Sequence, residues 1–391
     1  MGKWVWQHEN WPNFEYDISR YVKLLNDFKD KSLFLSGKMA GFSDNDQMDA
    51  TIDLMLSEAI KTNAIEGENL DRDSVRSSII RLISSEAMPH TNDEKASGAA
   101  SLIVDVRKKW KSDLSHELLG QWQTSAVPDH ITNLILRGHY RVDPAPMQIV
   151  SGYIGKTRVH YEAPPSSQVE EEMNRLINWY NNTNPFLIND VPHSDLIRAG
   201  IAHLWFECIH PFDDGNGRVG RAISDHAMSQ ALGYPTLACL STAIAGTKKE
   251  YYRELNIASQ SNININGWLD YFINTSIEAL NIAEDEVDFI LSKTRFYDKF
   301  SSNLNERQQK VVSRIFKEGR KGFQGGMTPQ KYMVITKCSS ATATRDLANL
   351  VKKGSFYKAE SGGRSTRYDI KLTRPKGFRI DAKKLMGKGD K

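Results

Sequence analysis

From Ser194 to Ile209 the chain is apolar on almost every side, with Leu196, Ile197, Ile201, Leu204, Trp205, Phe206 and Ile209 leaving no continuous polar face. A helix of that composition has no side to turn to water, so other helices must surround it and it belongs at the centre of a bundle. A very short turn leads into a second helix, from about Gly217 to Leu232, closed by Gly233 and Pro235. The segment Asp44 to Thr62 carries Met48, Ile52, Met55, Leu56, Ala59 and Ile60 on one helical face. Ser43 with Asp46 caps its start, and Gly67 offers its stop. Between Gln148 and Tyr161 the pattern changes to β-prone residues around glycines, which predicts a small hairpin in a helical domain. Pro164-Pro165 ends the hairpin, and a helix carrying Met173, Leu176, Ile177 and Trp179 follows.

The 391 residues suffice for two or three cores. Cys208, Cys239 and Cys338 lie far apart, which points to neither a disulfide framework nor a zinc site and fits a reducing cytoplasm. No stretch has the apolar length of a signal peptide or a bilayer span, so no membrane partner is expected. The charge is unevenly placed. Residues 301–391 hold 22 Lys+Arg against 7 Asp+Glu, net +15, whereas the first 300 carry net −12. A basic module attached to an acidic one makes duplex DNA or another anionic surface a candidate partner for the module. Its punctuation predicts helices from Glu306 to Glu318, from Thr328-Pro329 onward and from Ala341 to Lys353. Strands follow at Ser355–Ala359 and Thr366–Ile370, joined at Ser361-Gly362-Gly363.

The chemistry concentrates in His210-Pro211-Phe212-Asp213-Asp214-Gly215-Asn216-Gly217-Arg218-Val219-Gly220-Arg221. Glycines on either side of Asn216 let successive backbone N–H groups face one concavity, to which the next helix adds its positive end. Arg218 and Arg221, three apart, can face the same anion, and Asp214 supplies a hard oxygen ligand for a phosphate-bound magnesium ion. His210, at the end of a rigid helix, can accept a proton from an incoming hydroxyl. These are the parts for attack on a polyphosphate. His203 lies on roughly the same helix face, but between apolar neighbours it reads as a core histidine, and His226 and His160 have no partner spacing.

This string fits HxFx[D/E]GNGRxxR at each specified position and so resembles the signature of the Fic family. The stretch from His193 through Ile209 resembles the family's central helix, Gly152-Tyr153-Ile154-Gly155 its flap, and Trp4-Val5-Trp6-Gln7 with Trp11-Pro12 an N-terminal module of some members. Leu240-Ser241 and Glu250-Tyr251-Tyr252 sit where members close the nucleotide pocket. The resemblance covers roughly residues 1–280. It implies a mainly α fold: a Fic-type helical bundle with a hairpin flap, plus a C-terminal winged-helix (α+β) domain. The expected divisions are an N-terminal helical module (1–110) with an inhibitory helix (about 44–67), a catalytic domain (111–290), a winged helix (300–375) and a basic, disordered tail (376–391).

The resemblance also implies an activity, transfer of AMP from ATP to a Ser, Thr or Tyr hydroxyl of a target protein or of the chain itself. His210 would be the base and Asp214 would hold Mg²⁺ (or Mn²⁺). Phe212, Asp213, Gly215, Asn216, Gly217, Arg218, Arg221 and Tyr252 would complete the nucleotide site, with Phe212 packing the loop, and the flap would add a strand to the target. Thr62-Asn63-Ala64-Ile65-Glu66-Gly67 resembles the family's inhibitory motif [S/T]xxxE[G/N]. Glu66, at a helix C-terminus where the macrodipole disfavours negative charge, gains from a cationic partner, for which Arg221 is suited. Glu66 could alternatively align water to remove AMP, and a DNA-binding regulator whose Fic domain senses nucleotide is the other reading. In the winged helix Thr342, Thr344, Arg345 and Lys352 would face DNA, with Arg364 and Arg367 on the wing; a dimerising or protein-docking role is an equal alternative. A homodimer is expected.

Overall fold

The computed structural model describes residues 3–84, 93–127, 136–151, 158–185, 196–260, 262–320, 323, 325–359 and 366–372. The flap tip Gly152–Gly155, Arg364 and the tail from Lys376 lie outside them. The chain forms two compact units, Met1–Ala40 with Thr51–Ala283, and Gly41–Ala50 with Glu284–Phe378.

The helices in chain order up to the hairpin are α1 (Val22–Ala40), α2 (Asp44–Ile65), α3 (Arg72–Ile83), α4 (Glu94–Lys108) and α5 (His116–Ala126). The hairpin pairs β1 (Gln148–Ser151) with β2 (Arg158–Glu162). After it come α6 (Ser166–Asn182), α7 (Leu196–Ile209), α8 (Asn216–Leu232), α9 (Leu240–Gly246), α10 (Lys248–Ala258) and α11 (Asn266–Phe300). The fold is mainly helical, as the sparse punctuation predicts.

At the heart of the larger unit, every residue of α7 except Glu207 is buried, which is what its all-round apolarity requires. Its tight neighbour is α8, where Gly220 leaves room for the Glu207 carboxyl: a Cβ there would lie 2.6 Å from Glu207 Oε1. Trp268 donates to the Gly200 carbonyl at 2.8 Å and pins α11 to the other side of α7. A second apolar cluster joins α2, α3 and α4 through Ile52, Leu56, Val75, Ile79, Ala100 and Val104, fixing where the C-terminal end of α2 points. The Ser43 cap forms, its hydroxyl accepting from the Asp46 N–H at 3.2 Å.

The hairpin is antiparallel, with a register irregularity after Ile149, and its foot is anchored by Tyr161. The buried Tyr161 hydroxyl donates to the Cys208 carbonyl near the end of α7 at 2.5 Å. Trp4 packs edge-on against the Tyr161 ring, and Trp6 Nε1 donates to the Glu162 carbonyl at 2.8 Å, so the N-terminal tryptophans brace this strand.

The smaller unit contains α12 (Glu306–Lys317), α13 (Pro329–Thr336), α14 (Ser340–Lys352) and the hairpin of β3 (Phe356–Ala359) and β4 (Arg367–Ile370). Side-chain caps from Asn305, Thr328 and Ser339 start the helices, and Gly319 and Gly354 adopt positive φ just past two of them. Val311, Ile315, Tyr332, Leu347, Leu350, Phe356 and Tyr368 form its core. This is the expected succession of three helices and a hairpin, and Met327 adds a bridge to Tyr368. Thr344, Arg345, Lys352 and Arg367 are exposed. Thr342 is half-buried, and its N–H is taken up by the Ser339 cap.

Candidate active site

The turn between α7 and α8 is built by three devices. Asn216 staples it from within: its side chain accepts from the Phe212 N–H at 3.0 Å and donates to the Phe212 carbonyl at 2.7 Å. Phe212 itself is fully buried, so its side chain packs the loop into the core. Gly215, at φ 88°, reverses the chain into α8, and its carbonyl accepts the first intrahelical bond, from Val219. The N–H groups of Asn216, Gly217 and Arg218 therefore have no intrahelical partner, which makes the start of α8 an anion cradle. Gln123, on α5, fixes the rim by donating to the Asp214 carbonyl at 3.2 Å and accepting from Gly138 N–H at 2.7 Å.

His210 follows directly on α7 with φ 49°, a left-handed conformation uncommon for a residue with a Cβ. Arg141 holds it there. This buried guanidinium donates to the carbonyls of His210 (2.8 Å), Pro164 (2.5 Å) and Ile209 (3.3 Å), and the Arg141 N–H donates to Pro211 O at 2.9 Å. Arg141→Met should lower stability by about 2–4 kcal/mol, because three inward-facing carbonyls lose their donor. Urea unfolding monitored by tryptophan fluorescence measures this; an unchanged midpoint would show that the clamp is dispensable.

The His210 imidazole keeps 17% of its surface exposed, and burial pulls its pKa down to about 4, so it is neutral at pH 7 and able to accept a proton. Its Nδ1 lies 4.0 Å from the Glu207 carboxyl. Burial pushes Glu207 up to about 8, against the pull of Arg221. A carboxyl raised in the folded state is a source of stability below its unfolded pKa, near 4.5, that is lost as pH rises toward 8. Glu207→Gln should therefore raise the melting temperature relative to wild type more at pH 8 than at pH 5. Scanning calorimetry at both pH values decides; an equal difference at the two would refute the assignment.

Asp214 is the exposed member of the turn, its side chain 43% accessible. Its Oδ1 accepts from the Gly215 N–H at 2.6 Å and lies 3.5 Å from Arg218 Nη2. Among the described residues no group of three His, Cys, Asp or Glu could hold a metal ion by itself. One open carboxylate beside an anion cradle fits an ion such as Mg²⁺, which takes most of its ligands from water and substrate phosphate. Asp213 points elsewhere, its Oδ2 accepting from Leu136 N–H at 3.4 Å. The Tyr252 ring is 43% exposed and packs beside Tyr251, whose hydroxyl lies 2.8 Å from Nε2 of the buried His203. His203 is thus a core residue, held also by Ser224 Oγ at 2.9 Å and with its pKa lowered to about 3 by burial.

The C-terminal end of α2 closes over the cradle. Arg221, 2% exposed, donates from Nη2 to Glu66 Oε1 at 2.7 Å and to the Thr62 carbonyl at 2.9 Å, and from Nε to Thr62 Oγ1 at 2.8 Å. Burial works against the arginine's charge, and Glu66, Tyr251 and Glu207 together outweigh it, raising the pKa overall. Glu66 also lies against the backbone of the cradle, since a Cβ on Gly217 would come 2.5 Å from Glu66 Oε1. Gly67 turns the chain away at φ 85°. The structure thus gathers His210, Asp214, the Gly215-Asn216-Gly217 backbone, Arg218, Arg221, Thr62 and Glu66 at one recess. The sequence carries no signal that singles out Arg141, Gln123 or Glu68. Each is a lone polar residue in an ordinary context, and only the folded chain brings it to the turn.

With this geometry in view, likeness to known proteins can be placed on it. Residues 113–228 match the Fic/DOC family, and residues 4–84 match a Domain of unknown function (DUF4172). Protein adenylyltransferase fic-1 of Caenorhabditis elegans is 30% identical over 132 residues, 33% of this chain and 24% of that protein. Protein adenylyltransferase Fic of Aedes aegypti is 29% identical over a stretch of the same length and coverage. The chain spans about a quarter of the length of these curated relatives. Among solved structures, a Fic family protein from Desulfovibrio desulfuricans G20 aligns with TM-score 0.47 at 19% identity, over 93% of this chain and 99% of that one. A Fic domain containing signaling protein from Bacteroides thetaiotaomicron aligns with TM-score 0.49 at 16% identity, over 66% and 95%. The stapled turn between the buried helix and the cradle-forming helix lies inside the residues, 113–228, that match the Fic/DOC family. The chain accordingly carries a Fic/DOC domain over residues 113–228.

Proposed function

We propose that the chain is a protein adenylyltransferase that moves AMP from ATP to a hydroxyl of a protein and is held in check by Glu66. The observation that carries the reading is the carboxylate of Glu66 resting on Arg221 and against Gly217. A protein anion there occupies the position that the cradle's free N–H groups and cations suit for a phosphate. The names of the curated relatives point to the same chemistry.

In this reading the triphosphate lies along the start of α8, with Arg218 and Arg221 on its outer phosphates once Glu66 has moved aside. His210, neutral and fixed by Arg141, takes the proton of the target hydroxyl as its oxygen attacks the α-phosphorus. The bond to the bridging oxygen breaks, pyrophosphate leaves and AMP stays on the target. The cradle's N–H groups face the charge that develops on the phosphate oxygens. Asp214, with those oxygens, would hold Mg²⁺, which when bound supplies charge neutralisation. The β1–β2 hairpin, with Ile149 and Val150 exposed, offers an edge for an extended target segment.

ATP labelled at the α-phosphate should leave its label on the protein, and ATP labelled at the γ-phosphate should not. Retention of the γ-label would instead indicate phosphoryl transfer and overturn the reading.

A further inference from the structure

The brake has a second carboxylate. Two residues beyond Glu66, Glu68 Oε2 lies 3.1 Å from Arg218 Nη1, and Arg218 is only 4% exposed. The same Nη1 donates to Asn63 Oδ1 at 3.3 Å, and Nη2 lies 3.5 Å from Asp214. The other oxygen of Glu68 is held by Lys95 Nζ at 3.0 Å, which fixes the carboxylate in place. Positive φ at Gly67 sends the chain back so that Glu66 and Glu68 both meet α8, one on Arg221 and the other on Arg218, a helical turn apart. Asn63 ties the device together: its carbonyl accepts from the N–H groups of both glutamates at 3.0 Å, and its side chain accepts from Arg218. Each cation of the cradle is thus paired with its own carboxylate.

We infer that Glu68 is a positioning residue acting through Arg218, a second latch that competes with the β-phosphate of the nucleotide while Glu66 competes with the γ-phosphate. The inference rests on reading the cradle as a nucleotide site and adds a residue outside the [S/T]xxxE[G/N] motif. Once the nucleotide is bound, a carboxylate this near Arg218 repels the phosphates that the guanidinium attracts. Removing that charge should strengthen binding of any nucleotide long enough to reach Arg218, and of no shorter one.

Isothermal titration calorimetry of the full chain with ATP, ADP and AMP provides the test. Glu68→Gln, which keeps side-chain length and hydrogen-bonding capacity, should bind ADP and ATP about three- to tenfold tighter than wild type, equivalent to about 0.7–1.4 kcal/mol, with AMP unchanged. Lys95→Met, which removes the brace and leaves the carboxylate, should not tighten ADP binding; a tightening equal to that of Glu68→Gln would trace the effect to a loosened turn and overturn the latch. So would unchanged ADP affinity in Glu68→Gln, or AMP tightened as much as ADP. The two readings fail separately: ADP tightened with no AMP transfer by any variant sinks the adenylyltransferase alone, and AMP transfer with ADP unmoved sinks the latch alone. No nucleotide binding by any variant would sink both.

Discussion

Glu66→Gly is expected to raise the AMP that the chain would place on itself from ATP by about ten- to a hundredfold. The size follows from what the carboxylate does in the resting protein. It is 2.7 Å from an arginine that is 2% exposed, where screening by water and salt is weak. A competing charge there, worth about 1.4–2.7 kcal/mol to the bound triphosphate, corresponds to one to two powers of ten. Glycine removes the carboxylate and leaves Thr62, whose hydroxyl and carbonyl still hold Arg221 in the recess. The gain should therefore show as tighter ATP binding and faster turnover in a still-folded protein. Autoradiography of the purified chain with α-labelled ATP reads it directly. Incorporation no greater than wild type would remove Glu66 from the role of brake.

In the Glu66→Gly background, His210→Ala should then lower transfer by about 10²–10⁴-fold while nucleotide affinity stays within about twofold. The imidazole lies at the end of α7, beside Glu207 rather than on the N–H cradle, so its removal takes away the proton acceptor and leaves the phosphate contacts. The separation between rate and affinity distinguishes a base from a binding residue. Single-turnover transfer with calorimetric ATP titration measures both. A parallel loss of affinity would reassign His210 to binding, and an undiminished rate would place the base elsewhere.

The site was legible where its chemistry is local. His210 to Arg221 is one continuous turn, and its glycines, its arginine spacing and the apolar helix before it can be read one after another. Thr62 and Glu66 were legible through a short motif at a helix end, and the Glu66–Arg221 pair followed from the macrodipole and charge. What the sequence hid is what the tertiary fold supplies. Arg141 lies 69 residues before His210, yet its guanidinium sets the conformation of that residue. Glu68 and Lys95 gain meaning only because α2, α3 and α4 share a core that aims the turn after α2 at α8. Asn216 was read for its backbone, whereas its side chain closes the loop onto Phe212. In the fold, strong amphipathic or all-apolar stretches such as α7, α8 and α14 announced themselves. Helices α3, α4 and α10 were not picked out, since their identity depends on partners far along the chain.

The central claim is that the start of α8 takes the phosphates of ATP beside His210 once Glu66 is gone. A crystal structure of the Glu66→Gly chain with a non-hydrolysable ATP analogue and Mg²⁺ tests it most directly. The account predicts phosphate oxygens on the N–H groups of Asn216 and Gly217, Arg221 on the outermost phosphate, and the α-phosphate within reach of a hydroxyl held by His210. A nucleotide bound away from α8, or with its α-phosphate turned from the imidazole, would contradict it.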